Sequence, residues 1–240
     1  MPEQPLQGRV AVVTGASRGL GAAIARALAA EGAHVGVTAR NVGDLQNVAA
    51  QIESTGGRAH AVPADVSSLD KLEDAAAAFR QTLGPASIVV ANAGLGWYKP
   101  FAEWTREEID EAIDVNFRGV VYTARAFLPQ LLETRGHLVV VASDLARRPL
   151  ANMAVYAAAK HAALAFAQSL LREVKGAGVR VTTVLPGLID THFGGRAPTG
   201  EDAAWTLAPE HVASSIVSAL SLPAHLVMDE LTIHPLEQDF

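Results

Sequence analysis

The 240-residue chain contains no cysteine. Disulfides, thiolate metal sites, iron–sulfur clusters and cysteine nucleophiles are therefore excluded together. Charged residues are scarce at 18%, and acidic ones outnumber basic ones 25 to 19, for a net charge of −6. An acidic surface repels phosphate backbones, so no nucleic-acid partner is expected. No basic patch invites a membrane. Long apolar runs are missing too. Stretches such as Ile88–Ala91 and Leu138–Ala142 fall far short of the roughly 20 residues that cross a bilayer. The segment Met1–Gly8 has two prolines and no apolar run, which does not fit a signal peptide. A cytoplasmic protein is the expectation. Half of the residues are hydrophobic, and a chain of this length can bury about 70% of its unfolded surface, enough for one full core.

Short β-rich runs alternate with Ala-rich amphipathic segments. Strands are predicted at Val10–Val13, His34–Thr38, Ala59–Val62, Ile88–Ala91, His137–Val141, Val179–Leu185 and Glu230–Ile233. Most are unbroken apolar runs, as in strands covered on both faces. Helical stripes follow: Leu20, Ile24 and Leu28; Leu45, Val48 and Ile52; and a third helix capped by Ser68 that stops before Gly84-Pro85. A fourth begins at the capping box Thr105–Glu108 and runs toward Pro129, with a break near Asn116–Gly119. A fifth covers about Met153–Lys175, and a sixth follows Pro209. This alternation predicts a single α/β domain over residues 1–240, a Rossmann-type doubly wound parallel sheet of about seven strands with helices on both faces. Residues 187–206, with four glycines and one proline, have no clear periodicity and are assigned as a substrate loop.

The first strand feeds a glycine turn, Thr14-Gly-Ala-Ser-Arg-Gly-Leu-Gly21, and then a helix. Gly15, Ser17, Arg18, Gly19, Leu20 and Gly21 can bring backbone N–H groups and a helix N-terminus to a pyrophosphate. Glycines in a strand–helix loop also serve ordinary turn chemistry; the strand–turn–helix–strand context favours the nucleotide. At the end of the second strand, where a ribose-binding acid would stand, the sequence has Ala39-Arg40. With Arg18, Arg40 favours a 2′-phosphate, hence NADP(H) over NAD(H), although both arginines could simply be solvated.

Tyr156 and Lys160 sit four residues apart on one helix face. A phenol with pKa near 10 must fall about three units to serve near pH 7, which takes roughly 4 kcal/mol. An ammonium about 4 Å away supplies about that at an effective dielectric near 20. The pair alone is weak, because such spacing arises by chance. Ser143, Asn92-Ala93-Gly94 and Pro186-Gly187 lie just past three strands, at the sheet edge where ligands bind.

Together these motifs resemble the short-chain dehydrogenase/reductase family of the classical type over almost the whole chain. The resemblance rests on the Thr14–Gly21 turn, Asp65-Val66, Asn92–Gly94, Asn116, Ser143, Tyr156 with Lys160, and Pro186-Gly187 with Thr191. It implies that Tyr156 is the general acid/base, that Lys160 lowers its pKa and binds the nicotinamide ribose, and that Ser143 bonds the substrate oxygen. It implies that Asn116 holds a relay water, Asp65 and Val66 border the adenine, Asn92 supports the cofactor side, and Thr191 meets the carboxamide. It also implies a homodimer or homotetramer. Two departures stand out: Asp144 follows Ser143, and the Asp-Gly-Gly common near the end of many members is missing.

Leu95, Trp97, Leu145, Met153, Leu188, His192, Phe193 and Trp205 are placed near the nicotinamide, with Trp97, Leu145, Met153, Phe193 and Ser143 as the substrate wall. This mostly apolar set suits a ketone or aldehyde with a hydrophobic body, though several could merely pack the loop. Arg147, Arg148 and Arg196 could line the rim. The histidines show no metal spacing. The expectation is an NADP(H)-dependent oxidoreductase acting on a small carbonyl/alcohol pair. The alternatives are a non-enzymatic NADP(H)-binding redox sensor and a structural oligomer with a vestigial site.

Overall fold

The computed structural model describes residues 4–195, 198–199 and 204–238. Arg196 and part of the expected loop 187–206 lie outside the described residues. Seven strands form one parallel sheet: β1 (Val10–Thr14), β2 (His34–Thr38), β3 (Arg58–Ala61), β4 (Ile88–Ala91), β5 (His137–Val141), β6 (Arg180–Pro186) and β7 (Glu230–Ile233), in the order β3-β2-β1-β4-β5-β6-β7. β3 and β6 are each displaced by one residue from the expected bounds. The order reverses between β1 and β4, which opens a crevice at the carboxyl ends of the strands.

Alternate residues of each strand feed two cores. Ala11 and Val13 pack with Val35, Val90 and Val184 under α1 (Gly19–Ala30), α2 (Val42–Ser54) and α7 (Pro209–Leu220). Val12 packs with Val89, Leu138 and Val181 under α3 (Leu69–Leu83), α5 (Gly119–Thr134) and α6 (Ala154–Val174). Both sheet faces are thus covered, which is why β1, β4, β5 and β6 are buried along their whole length. On β2, a Cβ at Gly36 would stand 2.8 Å from the Phe79 ring of α3, so glycine lets that helix settle onto the sheet.

The helix starts follow the sequence signals. Asn41 and Ser68 accept the N–H groups of Asp44 and Lys71. At α4 (Arg106–Ile113), Thr105 and Glu108 close the capping box. The expected break is a π turn, Asp114–Arg118, in which the N–H of Gly119 donates to the carbonyl of Asp114. Beyond it, Pro129 does not end the helix: α5 passes it and reaches Thr134. Pro129 and Arg125, four residues earlier, are both exposed, so water can take the carbonyl that the missing N–H leaves open.

Candidate active site

Four chain turns meet at the crevice. The glycine turn is held from the neighbouring strand end, where Asn92 Nδ2 donates to the carbonyls of Thr14 (2.9 Å) and Gly15 (3.3 Å), while Thr14 Oγ1 accepts the N–H groups of Asn92 and Ala93. The packing leaves no room for side chains. A Cβ on Gly15, itself at φ +65°, would stand 2.7 Å from Ala93 Cα, and one on Gly21 would strike Gly15 O and Asn92 Nδ2. α1 then starts from Arg18 without a side-chain cap and without an acid in its first turn. Such an end is suited to an anion. Thr191 packs over Gly19. Beside the turn, a groove of about 340 Å³ is lined by Ser17, Arg18, Gly19, Asp44, Asn47, Thr191 and His192 among others. At the carboxyl end of β2, the buried Thr38 hydroxyl has no partner among the described residues. This cradle fits a dinucleotide.

Arg40 is engaged rather than free, ion-paired with Glu111 at 3.2 Å. Both side chains are largely solvated, so the pair contributes at most about 1 kcal/mol. Asp65 accepts both the N–H (3.0 Å) and the hydroxyl (2.8 Å) of Ser67. Burial works against its charge, but these bonds and the Arg40 and Lys71 charges hold its carboxyl below the ordinary range. Val66 touches Gly119, where a Cβ would come within 2.7 Å of it.

Asn116 sits in the π turn and is fully buried. Its Nδ2 donates to the carbonyls of Leu95 (2.7 Å) and Ala112 (2.9 Å), and its Oδ1 accepts the Leu95 N–H. The π turn turns this side chain toward the strand end, a common use of such insertions. A Cβ on Gly94 would stand 3.1 Å from Asn116 Oδ1 and 3.4 Å from Lys160 Nζ, so Gly94 keeps the space between the two side chains open. Lys160 Nζ donates to Val141 O at 2.9 Å and lies 5.6 Å from the Tyr156 ring centroid.

Tyr156 and Ser143 come together at the crevice, the Ser143 hydroxyl lying beside the phenol. The acidity of Tyr156 departs from expectation. Burial pushes its pKa up, and the Asp144 charge adds to that. Lys160 does not offset this, because its ammonium is directed to a carbonyl and to the ring rather than to the phenolic oxygen. Burial also lowers Lys160 itself, to about 8.

Of the apolar wall, Phe193 packs on Tyr156. Trp97 stands edge-on to Trp104 at 5.6 Å and belongs to a small cluster with Val155. Met153 is buried and precedes α6; Leu145 is half-buried in the turn after Ser143. Pro186 ends β6, and Gly187 donates its N–H to Ile233 O. Arg147, exposed at the rim, pairs with Glu230 at 2.6 Å. Gln238 reaches the site from beyond β7 and was not expected there, since nothing in local pattern marks a contact 94 residues distant. Among the described residues no helix is long and apolar enough to cross a membrane.

The family model for short chain dehydrogenases matches residues 9–202. A glycine betaine reductase of Emericella nidulans is 36% identical across 99% of this chain, which spans only 19% of that longer protein. An uncharacterized oxidoreductase of Staphylococcus aureus USA300 is 36% identical, covering 96% of this chain and 98% of its own length. Among solved structures, an alcohol dehydrogenase from the archaeon Thermococcus sibiricus, complexed with 5-hydroxy-NADP, superposes with a TM-score of 0.92 at 36% identity, covering 96% of this chain and 98% of that one. A metagenomic short-chain oxidoreductase in complex with NADP gives 0.84 at 32% identity, over 98% of this chain and all of that one. With a matching family model over most of its length and full-length relatives above 30% identity, the chain belongs to the short-chain dehydrogenase family.

Proposed function

We propose that the protein is an NADP(H)-dependent oxidoreductase that interconverts a ketone or aldehyde and the corresponding alcohol, with Tyr156 as general acid/base. The observation that carries this reading is the buried phenol of Tyr156 at the sheet's carboxyl edge, with the Ser143 hydroxyl and the Lys160 ammonium beside it. The NADP-type ligands of the two solved relatives support the cofactor.

When bound, the nicotinamide supplies or accepts the hydride. The chain's part is orientation and one proton. In the reducing direction the Tyr156 O–H gives its proton to the carbonyl oxygen as that oxygen becomes an alcohol; in the oxidising direction the phenolate takes the hydroxyl proton. Ser143 fixes the oxygen against Tyr156. Lys160, with Asn116 across the gap that Gly94 leaves, provides a route for replacing the proton. The glycine turn holds the pyrophosphate. Arg18 and Arg40 hold the 2′-phosphate, Arg40 leaving Glu111 to do so. Asp65, Val66 and Thr191 keep the roles that the family resemblance gives them. The apolar wall around Phe193 and Leu145 suits a substrate with a hydrophobic body. Small residues along α5 and α6 support association into a dimer or tetramer.

The test is a panel of aryl and bicyclic ketones and alcohols followed at 340 nm. Turnover with NADPH is expected at least tenfold more efficient than with NADH, and Tyr156→Phe is expected to lower kcat by about 10²–10⁴ while still binding NADPH. Near wild-type kcat in Tyr156→Phe overturns the assignment. Tight NADPH binding with no turnover of any pair would favour the redox sensor instead.

A further inference from the structure

Asp144, one of the two points where this sequence departs from the family pattern, has a defined set of partners. Its carboxylate is buried in the turn that follows β5. Oδ1 accepts the Ser143 hydroxyl at 3.1 Å, and Oδ2 accepts Gln238 Nε2 at 2.6 Å. Gln238 is itself fixed: its Oε1 accepts the Leu188 N–H at 2.9 Å, and it packs on Gly187, where any Cβ would collide with it. One glutamine side chain thus ties the Ser143 turn to the start of the substrate loop.

A serine hydroxyl has a single proton. Here Ser143 directs it to Asp144, and its Oγ also accepts the Leu145 N–H at 3.2 Å. What Ser143 then presents to the cleft is a lone pair. A bound substrate hydroxyl can donate to that lone pair while its oxygen accepts the Tyr156 O–H, and turns its proton to Tyr156 once the phenolate forms. A carbonyl oxygen has no proton to give and must first draw Ser143 away from the carboxylate.

We propose that Asp144, clamped by Gln238, is a positioning residue that holds Ser143 as a hydrogen-bond acceptor, so that the site selects an alcohol over the matching carbonyl compound. This rests on the proposed oxidoreductase function and adds a preference to it. The other charges near Tyr156 do not supply this polarity. Lys160 on α6 bonds Val141 O, Asp114 and Arg118 of the π turn pair with each other at 2.9 Å, and Arg147 beside Asp144 pairs with Glu230.

Asp144→Asn is close to isosteric and reverses the polarity. Gln238 Nε2 still needs an acceptor, so the asparagine oxygen faces Gln238 and its NH₂ faces Ser143. Ser143 then accepts from residue 144, and its own proton is released toward the cleft. The experiment measures dissociation constants of two dead-end complexes by titration, 1-phenylethanol on the NADPH-loaded protein and acetophenone on the NADP⁺-loaded protein. The expected result is tighter binding of the alcohol by wild type, with the ketone-to-alcohol ratio of constants falling at least fivefold in Asp144→Asn. In the same variant the acid limb of alcohol oxidation moves to lower pH, because the carboxylate that opposes phenolate formation is gone. Gln238→Ala frees the carboxylate without deleting it, and is expected to lower the ratio at least twofold; it decides the question if Asp144→Asn does not fold. A ratio unchanged within twofold in the variants that fold overturns the proposal. Failure of the wider functional reading shows separately, as wild-type protein that oxidises NADPH with no carbonyl in the panel, since the binding ratio needs no turnover.

Discussion

The ring of Phe193 lies against the ring of Tyr156, with centroids 5.2 Å apart and planes inclined by 60°. Gly96 closes the contact from the other side, since a Cβ there would stand 2.9 Å from Phe193 Cζ and 3.0 Å from Tyr156 Cδ2. The phenol is consequently buried, while Phe193 keeps a third of its surface in solvent. A substrate reaching Tyr156 must move this ring and can then use it as a wall. Phe193→Ala is therefore expected to raise KM for an aryl ketone about 3- to 10-fold, as loss of an aromatic pair worth about 1 kcal/mol implies, with a smaller effect on kcat. Steady-state kinetics on the variant checks this; an unchanged KM would show that the ring serves only to pack the loop.

Lys160 should leave a signature in stability. Its folded pKa, about 8, lies below the 10.5 of an unfolded lysine. Below pH 8 the folded state bears the full cost of a buried ammonium, and the cost is relieved as pH rises from 8 to 10.5, where only the unfolded chain still binds the proton. The shift corresponds to about 3 kcal/mol. Lys160→Met also leaves Val141 O without its donor, at about 1 kcal/mol. The variant should be about 2 kcal/mol more stable than wild type at pH 7, and that advantage should vanish toward pH 10.5. Urea unfolding at the two pH values provides the comparison, and a constant difference would contradict the buried-charge account.

At the opposite sheet edge, His137 is a second buried titratable group. Thr182 gives its hydroxyl proton to Met228 O at 2.6 Å, so the His137 Nε2–H donates to Thr182 Oγ1 at 2.7 Å, and Nδ1 is left without a partner among the described residues. Burial, with Arg180 and Arg9 close by, holds its pKa at about 3. The unfolded chain binds this proton near pH 6.5 and the folded one does not, so stability falls as the pH drops from 6.5 toward 3. Moving from pH 6.5 to 5 should cost about 2 kcal/mol through this one residue. His137→Gln is expected to remove that share of the acid sensitivity, seen as a smaller difference between urea midpoints at pH 7 and pH 5.

Much of this was legible in the sequence, for identifiable reasons. Central parallel strands are apolar on both faces, so β1, β4 and β5 could be read from apolar runs such as Ile88–Ala91. Caps such as Ser68 and Thr105 act on N–H groups three residues away, and that local chemistry is visible in a string of letters. The glycine turn and the Tyr156–Lys160 spacing are local as well. What was not legible depends on distance or on solvent. Pro129 looked like a terminus, yet it faces water. Arg40 looked like a waiting cation, yet Glu111, 71 residues on, already pairs with it. Spacing suggested an acidified phenol, whereas the Tyr156 environment is set by burial and by Asp144, and Asp144 in turn by a glutamine 94 residues away.

The π turn at Asp114–Arg118 has a consequence for what the chain can lose. Taking out one residue would let α4 and α5 fuse into a single regular rod, a local gain in hydrogen bonding. Because a π turn absorbs its extra residue within one turn, Val120, Ala124, Phe127 and Leu131 would keep their places on the sheet, and the loss would fall on Asn116, whose bonds to Leu95 and Ala112 depend on the insertion. The irregularity is therefore tied to the placing of Asn116 rather than to the packing beyond it. The residues around Asn116 in this turn can drift, but the extra one cannot be lost without uncoupling Asn116 from Leu95.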